Sequence, residues 1–266
     1  MARYVEFDRH EWAGRGVPGG VSTDADPDAL VSASDRVEIY GPLAALLVER
    51  AGGKAPFVVS VTGSVAVGKS AAAAALAAAL RPRPVAVVCT DGFLFPNRVL
   101  DARGLTARKG FPESFDHDAL ARFLLDVRAG APEAHAPVYS HQTYDIVEGQ
   151  TQVVRQPDVL VLEGLPFPED HVDFTVYLDA DEADIERWFV TRFRALCADA
   201  RADDASFFRP FAGYSEEQAT RFASGVWAAI NRVNLEEHIL PVRDTSDVIL
   251  EKGPDHAVRR VRLRVG

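Results

Sequence analysis

The chain has 266 residues, 47% of them hydrophobic, and its 29 basic and 39 acidic side chains leave a formal charge of −10. Length and apolar share suffice for a buried core, as one large α/β domain or two small ones, and exclude a disordered tail. The acidic balance without a basic block excludes an electrostatic nucleic-acid or anionic-membrane footprint. With no signal-like N-terminal stretch and no run of about 18 apolar residues, a soluble, cytoplasmic protein is expected.

In chain order, SDRVEIYGPLAALLVER (34–50) sets Val37, Tyr40, Leu43, Leu46 and Leu47 at helical spacing, with Ser34 or Asp35 as cap and Gly52-Gly53 as stop. This predicts an N-terminal helical arm over 1–53, ahead of a core and lid over 54–266. The runs 57–62, 85–89, 159–163 and 174–178 are nearly continuous in Val, Leu and aromatics, as strands covered on both faces are. Between the first two, AAAAALAAAL is a helix closed by Arg81-Pro82, so strand, loop, helix and strand make a βαβ unit.

Further on, 185–196 and Ser215 to about Leu240 read as helices, the second opened by a Ser215/Gln218 capping box. Ala219, Phe222, Val226, Ile230 and Val233 form its expected core stripe, with Trp227, Asn231 and Asn234 on another face. ARADDASFFRPFAG before it has the composition of a mobile lid with exposed aromatics, and the final HAVRRVRLRV alternates like an edge strand. Cys89 and Cys197 lack metal-site spacing and read as small buried apolar residues. No repeat or linker divides the chain, so a single domain over 1–266 is expected.

The stretch GSVAVGKS, running through Gly63, Ser64, Val65, Ala66, Val67, Gly68, Lys69 and Ser70, satisfies G-x-x-x-x-G-K-[ST]. A strand feeds it and a helix leaves it, as a phosphate cradle requires: glycines let backbone N–H groups wrap an anion at a helix N-terminus. Lys69 would reach the β and γ phosphates of ATP, and the Ser70 hydroxyl would hold Mg²⁺. Ligands of such sheets lie beyond the carboxyl ends of the strands, where two acids end apolar runs. Asp91 reads as a base for an acceptor hydroxyl, as a Mg²⁺ ligand, or as a plain Asp-Gly turn cap; Glu163 suits the metal's water shell or a structural hydrogen bond.

With FDRHEW, EIYGPL, GSVAVGKS, TDGFLFPN, RKGFPESFD, APVYSHQTYDIV, PDVLVLEGL, DFTVYLDA, RWFVTRF, WAAINRVNLEEHILPVR and HAVRRVRLR in order along nearly its whole length, the chain resembles the bacterial type I pantothenate kinases, relatives of uridine kinase and phosphoribulokinase. The resemblance implies an α/β fold with a P-loop-type parallel sheet flanked by helices, and ATP-dependent phosphorylation of pantothenate at its primary hydroxyl. It implies Asp91 as the base, Arg192 as the neutraliser of the transferred group, Tyr139, His141, Tyr144 and Asn231 as the pantothenate pocket, and His256 against the adenine. A homodimer and inhibition by coenzyme A are implied too. By spacing alone Arg192 is not separable from Arg187 or Arg194, and His141 and the tyrosines also read as ordinary loop or half-buried residues.

The departures bear on the acceptor. Phe189 stands where the family has a phenol expected to bond pantothenate, SFFRPF drops two rim hydroxyls, and EGLP replaces EGLN ahead of a shortened segment. Ala74 replaces a basic residue linked to coenzyme A feedback, so weak feedback is expected. Two alternatives follow: a kinase of the same fold acting on another small hydroxyl compound, and a nucleotide-binding regulator without catalysis.

Overall fold

The computed structural model describes residues 3–16, 30–165 and 171–265. A seven-stranded sheet runs in the order β1 (Arg3–Asp8), β9 (Val258–Val265), β8 (Val248–Lys252), β7 (Phe174–Asp179), β2 (Phe57–Gly63), β6 (Val159–Gly164), β3 (Val85–Cys89). The five strands from β8 to β3 are mutually parallel; β9 pairs antiparallel with β8, and β1 antiparallel with β9.

The central strands are apolar on both sides because each side has its own core. Val59 and Val61 pack with the buried Leu43 and Leu47 of helix Gly41–Ala51 and with Leu76 of helix Lys69–Ala79. Val58, Leu160 and Leu162 face the other way, onto Phe123 and Leu124 of helix His117–Arg128. At roughly 1.5–3 kcal/mol per buried side chain of this size, these two layers hold the sheet from both faces.

The helix before β2 is present and ends at Gly52 in the left-handed conformation, φ 55°, but Val37 is exposed and Ile39 takes the buried place. It is capped by Ser32 rather than Ser34 or Asp35. Ahead of it lies β1, which sequence reading missed, and Trp12 of the following turn is fully buried with its Nε1 donating to the Ile39 carbonyl. β9 is an inner strand, not an edge. Its alternating arginines pair sideways, Arg262 with Glu6 and Glu251, and Arg260 with the same two acids. A hairpin, β4 (Ala134–Ser140) with β5 (Asp145–Val154), stands apart from the main sheet.

The capping box opens helix Glu216–Val226 as expected. Of its expected core stripe Ala219 is buried, but Phe222 is 39% exposed and lines the central cavity with Val226 and Ile230, while Ala223 and Trp227 are buried instead. Two π-type turns, Trp227–Asn231 and Leu235–Ile239, shift the register that a regular 3.6-residue period assumes. Of the lid segment's aromatic rings only Phe207 is exposed; Phe208 is buried against Phe193 and Ala223 in a third cluster. The position after Leu165, where EGLP departs from EGLN and the segment shortens, lies outside the described residues.

Candidate active site

The carboxyl ends of β2, β3 and β6 open into a cavity of about 820 Å³. Gly63 ends β2 at φ 144°, and a Cβ there would stand 2.5 Å from the Leu178 carbonyl oxygen. Gly68 begins helix Lys69–Ala79 at φ 93°, a conformation an L side chain rarely adopts. Val65, Ala66, Gly68, Lys69 and Ser70 line the cavity; Ser64 and Val67 are buried in the loop, and the buried Ser64 Oγ has no hydrogen-bond partner. Lys69 Nζ donates to the carbonyls of Gly63 at 3.2 Å and Ser64 at 2.8 Å. Burial pulls its ammonium down from the ordinary lysine value, against Asp91 and Glu163, which hold it up.

The two strand-end acids reach the same space. Ser70 Oγ donates to Glu163 Oε1 at 2.8 Å. Asp91 sits one turn beyond β3, and close backbone approaches fix that turn: a Cβ on Gly164 would strike Thr90 Oγ1 at 1.8 Å, and one on Gly92 would strike the Pro137 carbonyl at 2.1 Å. The hairpin is thereby seated directly on the Asp91 turn. Burial pushes the Asp91 carboxyl up, opposed by Lys69 and His141. Burial likewise pulls the His141 imidazole down, opposed by Asp91.

From the hairpin, Tyr139 meets His141 edge-on at 5.2 Å between ring centroids and Tyr144 at 6.0 Å, and all three line the cavity. Tyr144, at φ 54°, stacks on Phe207 at 4.7 Å. Asn231 contributes a buried Nδ2 with no hydrogen-bond partner. Of the three arginines on helix Glu182–Asp199, Arg192 lines the cavity, whereas Arg187 bonds Asp184 and Pro254, and Arg194 pairs with Glu216. At the far end His256, at φ 65°, stacks on Trp188 at 3.7 Å. Burial, with Lys252 and Arg187 nearby, pushes that imidazole down to about 4. Phe189 also lines the cavity, and Ala74 is exposed outside it.

Sequence reading missed Lys109. Its Nζ donates to Asn97 Oδ1 at 2.7 Å and to the Tyr144 carbonyl, and lies 4.3 Å from the Tyr144 ring centre. Burial brings it down to about 8, against Asp145 and Asp91. The available signal was a lysine beside a glycine inside RKGFPESFD, a block read only as a whole. Cys89 is half-buried on the cavity wall, not fully buried as expected, while Cys197 is buried.

A hydroxyl and a carboxylate in contact are the oxygen donors a hard cation takes, so Ser70 and Glu163 fit Mg²⁺. No group of three or more His, Cys, Asp or Glu suited to a metal occurs among the described residues. Mg²⁺ ordinarily completes its shell with waters and substrate phosphates, so no such cage is required. No described helix is long and apolar enough to cross a membrane.

The phosphoribulokinase/uridine kinase family matches residues 58–188. Over 230 residues the chain is 50% identical to the pantothenate kinase of Myxococcus xanthus, covering 79% of this chain and 73% of that one. Against the pantothenate kinase of Sorangium cellulosum the identity is 43%, over 99% of this chain and 98% of that one. The fold superposes on D-glycerate 3-kinase from Cryptococcus neoformans var. grubii with a TM-score of 0.58 at 13% identity, covering 83% of this chain and 97% of that one, a likeness of fold alone. A P-loop cradle facing strand-end acids, and half of all residues shared over most of the length, settle the lineage: the chain belongs to the pantothenate kinases of the phosphoribulokinase/uridine kinase family.

Proposed function

We propose that the chain moves the terminal phosphoryl group of ATP onto the primary hydroxyl of pantothenate, the first step toward coenzyme A. The observation that supports this most is the single cavity shared by Lys69 and Ser70, Asp91, and the polar set Tyr139, His141, Tyr144 and Asn231. Phosphoryl transfer asks mainly for alignment and charge stabilisation, which is what these groups can supply.

In this reading Asp91 accepts the hydroxyl proton of pantothenate. Its buried carboxyl binds a proton more readily than an exposed one, with Lys69 and His141 opposing that upward shift. The cradle N–H groups and Lys69 receive the phosphates, Arg192 neutralises the group in transit, and His256 packs the adenine beside Trp188. Tyr139, His141, Tyr144 and Asn231 orient the acceptor, Asn231 through its otherwise unpartnered amide. Ser70 and Glu163 would hold Mg²⁺, which when bound offsets phosphate charge. The enzyme works in the cytoplasm as a homodimer of one-domain chains, for which light scattering should give twice the chain mass; a monomer at assay concentrations would remove that part.

Ala74 offers no cation to a coenzyme A phosphate, so coenzyme A inhibits weakly. Inhibition at concentrations well below those of ATP would contradict this. A second reading, a kinase for a different small hydroxyl compound, is favoured by Phe189, which places a bare ring on the cavity wall. A panel of hydroxylated compounds assayed for ADP release and product mass decides between them. Pantothenate should give the highest kcat/KM with a mass gain of one phosphoryl group, and a stronger response to another acceptor would overturn the first reading.

A further inference from the structure

We propose that Lys252 is a positioning residue of the nucleotide site: from the end of β8 it grips the back of the phosphate loop and holds a positive charge behind Gly68 and Lys69. Lys252 is only 6% exposed, and its Nζ donates to the Val67 carbonyl at 2.9 Å. A Cβ on Gly68 would come within 3.2 Å of the same Nζ. β7 separates β8 from β2 in the sheet, so the side chain reaches past one strand to touch the loop.

Two physical consequences follow from that contact. A trans peptide sets its C=O and N–H in opposite directions, so drawing the Val67 oxygen back onto Lys252 turns the Gly68 N–H the other way, toward the cavity that Gly68 lines. A buried ammonium is costly unless something compensates it. The acid in its field, Asp35, is already engaged by Arg9 at 2.5 Å, and His256 and Arg187 on the neighbouring side add no negative charge. Burial brings the ammonium down to about 8, so it remains protonated at neutral pH. A nearly uncompensated cation kept behind a polyphosphate cradle finds its counter-charge when the nucleotide arrives, which ties loop geometry and phosphate affinity to one side chain.

The inference rests on the nucleotide reading of the loop. ATP binding by the wild-type chain, measured by calorimetry with Mg²⁺, tests that reading separately, and its absence would remove both. With binding in place, Lys252→Met should raise KM for ATP about tenfold, the value of one modest charge contact, while KM for the acceptor stays within about twofold. Lys252→Arg should return KM for ATP to within about threefold of wild type. Should Lys252→Met not fold, Lys252→Gln, which keeps a donor without the charge, replaces it with the same expectation. Unchanged KM for ATP in the neutral variant overturns the proposal. So does a proportional loss of kcat and of affinity for both substrates that arginine does not rescue, the pattern of a purely structural strut.

Discussion

Ser70 and Glu163 stand 93 positions apart in sequence and meet at 2.8 Å, hydroxyl donating to carboxylate. Two parallel registers bring this about. β2 and β6 align Val61 with Glu163, and β6 and β3 align Glu163 with Cys89, so the acid ends its strand beside the loop that closes onto Ser70.

Glu163→Gln keeps the shape and a hydrogen bond but removes the charge. It should raise the Mg²⁺ concentration for half-maximal rate by about 10-fold to 100-fold, as loss of a metal-orienting carboxylate commonly does. A Mg²⁺ titration of initial rate checks this, and a curve superimposable on wild type would assign Glu163 a purely structural role.

Phe189→Tyr restores a hydroxyl to the cavity wall. If pantothenate has a polar group left unpaired there, filling it is worth roughly 1–3 kcal/mol, and KM for pantothenate should fall by about fivefold or more. KM for ATP should not move. A higher pantothenate KM in this variant would mean that the bare ring suits the true acceptor.

Lys109 and Lys252 each lie at about 8 in the fold, against 10.5 for an unperturbed lysine. Between those values the unfolded chain keeps protons that the folded chain has released, so their joint contribution makes stability rise with pH across that window and stay flat below it. Lys109→Met removes one of the two. Thermal unfolding from pH about 7.5 to about 9.5 should show a smaller upward trend in Lys109→Met than in wild type, and parallel curves would contradict the burial of this ammonium.

The strands that build the crevice were legible because β2, β6 and most of β7 are buried from both sides, and such strands must be apolar throughout. The loop was legible because few residue types fit its bends, as Gly63 against the Leu178 carbonyl shows. The hairpin was not, since β5 runs Glu148, Gly149, Gln150, Thr151 and Gln152 along an exposed stretch that carries no apolar signal. The final strand misled because its arginines alternate as on an open edge, whereas Arg260 and Arg262 are answered by Glu6 and Glu251 from the flanking strands. The part of the stripe on helix Glu216–Val226 and beyond that misled has a related cause: Phe222, Val226 and Ile230 are apolar because they wall a cavity, and pattern alone does not distinguish a cavity wall from a core. Lys109 and Lys252 depend on contacts across 35 and 185 positions, which no local pattern encodes.

The central claim is that the Asp91 carboxylate takes the acceptor's proton, and Asp91→Asn tests it by comparing turnover with nucleotide binding in the same preparation. The account predicts a fall in kcat of about 10²–10⁴-fold, the usual value of a positioned base, with Kd for ATP within a few-fold of wild type. A variant that phosphorylates pantothenate at near wild-type rate would contradict it.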